Sequence, residues 1–331
     1  YALNKSGCKA IVAAESFKSS RYLEMLQRLA PELDHCPPGQ LRSEKLPALS
    51  TVIRMGEART PGMFNFADVC NKGEAQDLVR VAKVAEKLSP HDVINIQFTS
   101  GTTGNPKGAA LSHYNILNNA NQVAHGMRFT ELDRLCIPVP MYHCFGMVLG
   151  KMACVTRGAT AVFPADAFEP GAVLEAVEAE KCTALHGVPT MFIAELEYPG
   201  FDRYDLSTLR TGIMAGAPCP VEVMKKVISR MHMSEVLIAY GQTECSPVNH
   251  MTLADDPVEK RVETVGRAGP HLEVKLLDEQ GRVVPIGERG DICTRGYAVM
   301  QGYWNDPERT AETVDSDGWL HSGDLGVMDQ D

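Results

Sequence analysis

Apolar positions along the chain fall into two alternating rhythms, short unbroken runs and stripes at helical spacing. The runs at 8–14, 51–53, 93–98, 134–139, 159–163, 184–187, 209–214 and 235–239 predict strands. Stripes predict helices over 19–30 and 74–88. Tyr22, Leu23, Leu26 and Leu29 share a face in the first, and Leu78, Val81, Val84, Ala85 and Leu88 share one in the second. Further helices are expected over 112–125, 144–155, 170–180, 189–196 and 220–231. Ser112 reads as an N-cap and Pro170 as a first-turn proline. Pro37, Pro38, Gly39 and Pro47 make 35–48 a loop.

Strand–helix alternation with short links predicts an α/β protein with mainly parallel, doubly wound sheets. The texture changes after residue 252. There 271–278 and 289–294 read as strands joined by the turn Asp278–Gly281, the pattern of small antiparallel or barrel-like β structure. Asp306-Pro307 opens a short helix, with Asp as cap and Pro in the first turn.

Composition narrows the class. With 331 residues the chain can bury a large core. Its formal net charge of −10, without a dense Lys/Arg run, argues against a nucleic-acid partner. The ten cysteines are scattered, with no C-x-x-C and no Cys/His cluster at zinc spacing, so free thiols in a reducing compartment are expected. The richest apolar stretch, 141–155, is broken by His143 and Lys151, short of the ~18 residues a membrane helix needs. No transmembrane segment and no signal-peptide pattern is read.

The candidate chemistry is concentrated in one loop. Thr99-Ser100-Gly101-Thr102-Thr103-Gly104-Asn105-Pro106-Lys107-Gly108 follows the strand at 93–98. Hydroxyls and unhindered backbone N–H groups wrap phosphate oxygens, glycine admits positive φ, and lysine adds a full charge. Pro106 before Lys107 and Gly108 after it separate this run from the common P-loop.

The run resembles the phosphate loop of the AMP-forming acyl-CoA synthetases, members of the adenylate-forming superfamily. Four further segments, in the family's order, extend the resemblance. They are Ile213–Pro218, Ala239–Glu244, Gly290–Gly296 with Gly302-Tyr303-Trp304, and Gly318–Asp324. Within the family the chain is most similar to medium-chain fatty acyl-CoA synthetases of the acyl-CoA synthetase family member 2 type. Asp291 stands where the family usually has Glu.

The resemblance implies two doubly wound α/β subdomains followed by a distorted β-barrel. The expected parts are 1–128, ending with the phosphate loop and its following helix, 129–252, with the acyl and adenine pocket, and 253–331, barrel-like. The family's N-terminal stretch and its C-terminal domain, whose lysine orients the acyl carboxylate, are expected to lie outside the chain, leaving it poorly active alone.

The implied reaction is a fatty acid–CoA ligation. The acid attacks the α-phosphorus of ATP to give acyl-adenylate, and coenzyme A then takes the acyl group. The substrate supplies the nucleophile, so the protein's task is alignment and charge neutralisation. Lys107 with Thr99, Ser100, Gly101, Thr102, Thr103 and Gly104 would hold the β- and γ-phosphates. Thr243 would donate to the α-phosphate and Glu244 would hold Mg²⁺. Tyr240 would stack on adenine against Gly216, Ala217 and Pro218, with Gly241 and Gln242 completing that turn. Asp324 would accept from the ribose hydroxyls. His143 would gate the acyl carbonyl, and Met147, Ala215 and Gly216 would line the acyl tunnel.

Read alone, several of these residues carry blander meanings. Glu244 is a solvated carboxylate, Tyr240 a core tyrosine, Asp324 a turn residue and His143 a structural histidine. Two other functions share the motifs, adenylation for another acid or acceptor (an aryl acid, a carrier protein) and a non-catalytic adenylate-binding fragment. Partners are small molecules, and the expected compartment is the cytoplasm or, in a eukaryote, the mitochondrial matrix.

Overall fold

The computed structural model describes residues 1–99 and 104–330 of the chain. These form two compact units. The first holds Tyr1–Ser89 with the loop residues 104–106, and the second holds 90–99 and 107–330.

The first unit carries α1 (Ala2–Ser6), β1 (Ala10–Ala13), α2 (Tyr22–Leu29), β2 (Thr51–Arg54), β3 (Phe64–Asn65), α3 (Phe66–Cys70) and α4 (Ala75–Ala85). β1, β2 and β3 form a parallel sheet in that order. Leu23, Leu26, Leu33 and Val52 sit in its core, the two leucines of α2 coming from the expected stripe. The stripe on α4 behaves otherwise. Leu78, Val81 and Val84 remain exposed, and the helix buries none of its residues.

The second unit opens with an antiparallel hairpin of β4 (Val93–Thr99) and β5 (Lys107–Ser112). The expected progression from strand through phosphate loop directly to helix is therefore corrected, because a second strand intervenes. Its sequence, Lys-Gly-Ala-Ala-Leu-Ser, has little strand propensity. Pairing with β4 and burial of five of its six residues impose the strand. α5 (His113–Gly126) follows, and Ser112 caps it reciprocally with Asn115.

Then the alternation runs as expected: β6 (Arg134–Cys136), α6 (Ala153–Arg157), β7 (Thr160–Val162), α7 (Pro170–Glu180), β8 (Ala184–Leu185), α8 (Pro189–Leu196), β9 (Thr211–Ala215), α9 (Val221–Arg230) and β10 (Glu235–Tyr240). The helix expected at 144–155 begins as a π-helical run, Phe145–Met152, before α6. Two short strands, β11 (His250–Met251) and β12 (Arg267–Ala268), flank α10 (Val258–Glu263). Together these strands form a seven-stranded sheet in the order β12-β11-β10-β9-β8-β6-β7, parallel from β10 to β7 and antiparallel at β11 and β12. All five residues of β9 are buried, as both-face coverage demands.

The chain steps from β6 outward to β7 and then back across β6 to β8. Strand order therefore reverses beside β6, and in open α/β sheets ligands settle at such a reversal, beyond the carboxyl ends of the strands.

The remainder holds β13 (Leu272–Leu277), β14 (Arg289–Gly296), β15 (Gly302–Tyr303), α11 (Pro307–Thr313) and β16 (Leu320–Val327). β13, β14 and β16 form an antiparallel sheet, as the change of texture predicts. The turn Asp278–Gly281 does not lead straight into β14; it folds Val283 back against Leu277 first. β15 pairs with β5. Asp306 caps α11 through the Arg309 N–H. All ten cysteines are free thiols. Among the described residues, no helix is long and apolar enough to cross a membrane.

Candidate functional site

The carboxyl ends of three parallel strands of the seven-stranded sheet, β6, β9 and β10, carry most of the expected residues. Tyr142-His143 lies beyond β6, Gly216-Ala217-Pro218 directly follows β9, and Tyr240 ends β10. Ala215 pairs with Ala239, so Gly216 and Tyr240 leave adjacent strands at one level. Gly241 then turns the chain. Its φ is +157°, and a Cβ there would stand 2.0 Å from the Pro247 carbonyl oxygen, so only glycine fits. Gln242 accepts from the Cys245 N–H at 2.7 Å, closing the single turn of 3₁₀ helix that holds Thr243 and Glu244.

Glu244 is 7% exposed, which removes the reading of a solvated carboxylate. Its Oε1 accepts from the Tyr303 hydroxyl at 2.7 Å and from the Thr99 hydroxyl at 3.5 Å. Burial and this hydrogen bond push the Tyr303 phenol far up, so it stays a donor. The Lys107 ammonium sits 4.6 Å from the centre of the same Tyr303 ring, within cation–π range. Register explains the meeting. Lys107 pairs with Thr99 across the hairpin, and Tyr303 pairs with Ala109 from β15. A lysine, a buried carboxylate, a hydroxyl and a phenol thus share one small volume. Tyr303 is the member whose role the sequence did not disclose, although its Gly-Tyr-Trp segment carries the resemblance.

Asp324 lies on β16, and its Oδ2 accepts from the Tyr240 hydroxyl at 2.7 Å. Burial, then this bond, raises the Tyr240 pKa well above the usual range, keeping the proton on the phenol. Asp324 is therefore more than a turn residue, since it joins β16 to the end of β10. Beside the pair opens a cavity of about 750 Å³, also lined by His250, Lys260 and Arg267.

His143 is exposed, and its Nδ1 accepts from the Phe145 N–H at 3.0 Å. Desolvation of the ring lowers its pKa and favours the neutral imidazole. Cys144 next to it is buried, which pushes its thiol up to about 12, while the Thr243 hydroxyl acts in the opposite direction. Met147 on the π-helical run is half-buried, with the amides of Asn95 and Gln97 at 3.6 and 3.9 Å from its sulfur. Ala215 is buried at the end of β9. His186, unremarked in the sequence, is wholly buried behind this region. Its Nε2 donates to the Leu149 carbonyl at 2.9 Å, its Nδ1 accepts from the Ile213 N–H at 3.1 Å, and burial pulls its pKa down to about 4.

Ser100, Gly101, Thr102 and Thr103 of the phosphate loop lie outside the described residues. Gly104 belongs with the first unit and takes φ of +117°, as the loop's glycine pattern predicts.

Comparison with known proteins identifies the family and the fold. The pattern of a family described as AMP-binding enzyme matches residues 1–304. "Putative acyl-CoA synthetase YngI" of Bacillus subtilis (strain 168) is 51% identical over 332 residues, covering 100% of this chain and 60% of that protein. The mitochondrial medium-chain acyl-CoA ligase ACSF2 of Bos taurus is 43% identical over 336 residues, covering 100% of this chain and 54% of that protein. The chain thus spans little more than half the length of these relatives. The fold matches the crystal structure of the anthranilate CoA ligase AuaEII in complex with anthranoyl-AMP. There the TM-score is 0.83 at 22% identity, over 100% of this chain and 58% of that one.

Proposed function

The chain belongs to the family of AMP-binding enzymes, and we propose that it is the nucleotide- and acid-binding portion of an AMP-forming fatty acid–CoA ligase. The observation that carries the reading is the gathering of Lys107, Thr99, Tyr303 and Glu244, with Tyr240 and Asp324 paired nearby in the chain's fold. The names of its relatives favour a medium-chain acid.

In this reading Lys107 and the loop hydroxyls neutralise the β- and γ-phosphates of ATP, while Thr243 steadies the α-phosphate. The buried Glu244 carboxylate and neighbouring hydroxyls are the oxygen donors that Mg²⁺ prefers, so they fit that ion, which supplies charge neutralisation at the phosphates. Tyr240 and the Gly216–Pro218 segment flank adenine, and Asp324 accepts from the ribose diol. His143, held neutral, borders the acyl carbonyl without taking a proton, and Met147, Ala215 and Gly216 border the alkyl chain. The acid's own carboxylate is the nucleophile, and coenzyme A is the second acceptor. The division of the chain at 128 and 252 belongs to the same proposal. The lysine that the family resemblance assigns to the acyl carboxylate has no matching motif among residues 1–331, so these residues are proposed to bind the adenylate better than they form it.

The test is binding of a non-hydrolysable decanoyl-adenylate analogue by the purified chain. A ligand specific for the folded state raises the melting temperature by mass action. The expected result is a saturable rise that exceeds the rise with AMP alone. Absence of any shift in a folded sample overturns the site. An equal or larger shift with an aryl adenylate favours another acid as substrate.

A further inference from the structure

The antiparallel sheet of β13, β14 and β16 holds a second cluster of chemistry. Asp291 and Cys293 lie on β14 and His321 on β16, with Cys293 and His321 paired across the strands. The Cys293 sulfur stands 3.5 Å from Asp291 Oδ2 and 3.4 Å from His321 Nδ1, and those two atoms are 3.2 Å apart. One sulfur, one nitrogen and one oxygen thus form a nearly equilateral triangle. Tetrahedral ligands of zinc, at about 2.0–2.3 Å from the ion, are separated by roughly 3.3–3.6 Å.

We propose that Asp291, Cys293 and His321 form a binding site for a thiophilic divalent cation of the zinc class, with one coordination position open to solvent. Three features support it beyond the spacing. First, the outer nitrogen of His321 faces Asp315 Oδ2 at 3.5 Å, the carboxylate–histidine arrangement that orients a metal-bound imidazole and leaves Nδ1 as a lone pair. Second, Asp291 is already fixed from its other oxygen, where Oδ1 accepts the Gly323 N–H at 3.0 Å. Oδ2 can therefore ligate without losing that bond. Third, the site is reachable, because the His321 and Asp291 side chains are 35% and 25% exposed although Cys293 is buried. Donor chemistry excludes Mg²⁺ and Ca²⁺, which prefer an all-oxygen shell.

On binding, the Cys293 S–H bond breaks, its proton leaves to solvent, and the sulfur lone pair forms the metal–thiolate bond. The thiolate and the Asp291 carboxylate then balance the two positive charges. The sequence gives no sign of this cluster, because His321 lies on another strand, about thirty positions from Asp291 and Cys293.

Co²⁺ added to the chelator-treated chain is the probe. One equivalent is expected to produce sulfur-to-cobalt charge-transfer absorption, which one equivalent of Zn²⁺ abolishes by displacement. Cys293→Ser should remove the absorption although nine cysteines remain, and should weaken Zn²⁺ binding at least tenfold. Asp315→Asn should keep the absorption and weaken Zn²⁺ binding about tenfold. Circular dichroism checks the fold of each. If Cys293→Ser does not fold, His321→Gln, at a part-exposed position, carries the test with the same tenfold criterion. Absorption that survives in Cys293→Ser, or none in the folded wild type, overturns the site. The second outcome would mark the triangle as a histidine hydrogen-bonded between two carboxylates and no metal site.

Discussion

At the scale of single residues, the pairing of Tyr240 with Asp324 separates two roles for one carboxylate. Asp324 holds the Tyr240 phenol at 2.7 Å, and it is also the proposed acceptor for the ribose diol. An ionised carboxylate has lone pairs enough for both. If Asp324 only positions the ring, Tyr240→Phe and Asp324→Ala should weaken AMP to the same extent. If it binds ribose, Asp324→Ala should cost roughly tenfold or more in both AMP and ATP affinity, as expected for hydrogen bonds to a charged group. Tyr240→Phe, which retains the ring, should then change either affinity less than threefold. Calorimetric titration of the two variants decides it, and equal losses would leave Asp324 a positioning residue. Residue identity was legible here because both belong to segments that carry the family resemblance. Their contact was not, since 84 positions separate them and they lie on strands of two different sheets.

At the scale of elements, legibility followed burial on both faces. β9 and β10 read directly from the sequence, because covered strands of a parallel sheet must be apolar almost throughout. β5 did not, because alanine and glycine carry no strand signature and only its partners on either side make it one. α4 shows the converse, a clear helical stripe that stays exposed. Periodicity predicts a helix and the residues that share a face, but it does not say what covers that face. The missed hairpin matters for function. It sets Lys107 opposite Thr99 and, through β15, beneath Tyr303, so the lysine rises from a paired strand and not from a free loop end. A lysine so anchored and assigned to the β- and γ-phosphates should discriminate between nucleotides. Lys107→Ala is expected to lower ATP affinity about tenfold, the size of one charge-assisted bond. AMP, which lacks those phosphates, should bind within twofold of wild type. Parallel losses for the two nucleotides would move Lys107 away from the phosphate tail.

At the scale of the molecule, the second unit carries three buried titratable groups whose protons oppose one another. His186 and His250 are both pulled down to about 4 by burial, so each folds neutral and must resist charging as pH falls. Glu195 on α8 is fully buried, neither carboxyl oxygen has a hydrogen-bond partner among the described residues, and desolvation raises its pKa well above the usual range. It folds protonated. Between pH 6.5 and 4.5 the unfolded chain therefore takes up two histidine protons that the folded chain refuses. It also gives up one carboxyl proton that the folded chain keeps. Stability lost per pH unit on acidification scales with that difference, at about 1.4 kcal/mol for each proton. The histidines make the unit less stable toward acid, and Glu195 offsets about half of their slope. Conversely, as pH rises above 4.5, the stabilisation from the Glu195 proton is progressively lost. Glu195→Gln removes the offset while keeping the side-chain shape. Its stability should fall about twice as steeply from pH 6.5 to pH 5 as that of wild type. Both tryptophans, Trp304 and Trp319, lie in the second unit, so their fluorescence in urea titrations reports this unit alone. Parallel stability curves for the two proteins would show that Glu195 is ionised in the fold, with a partner that burial alone does not reveal.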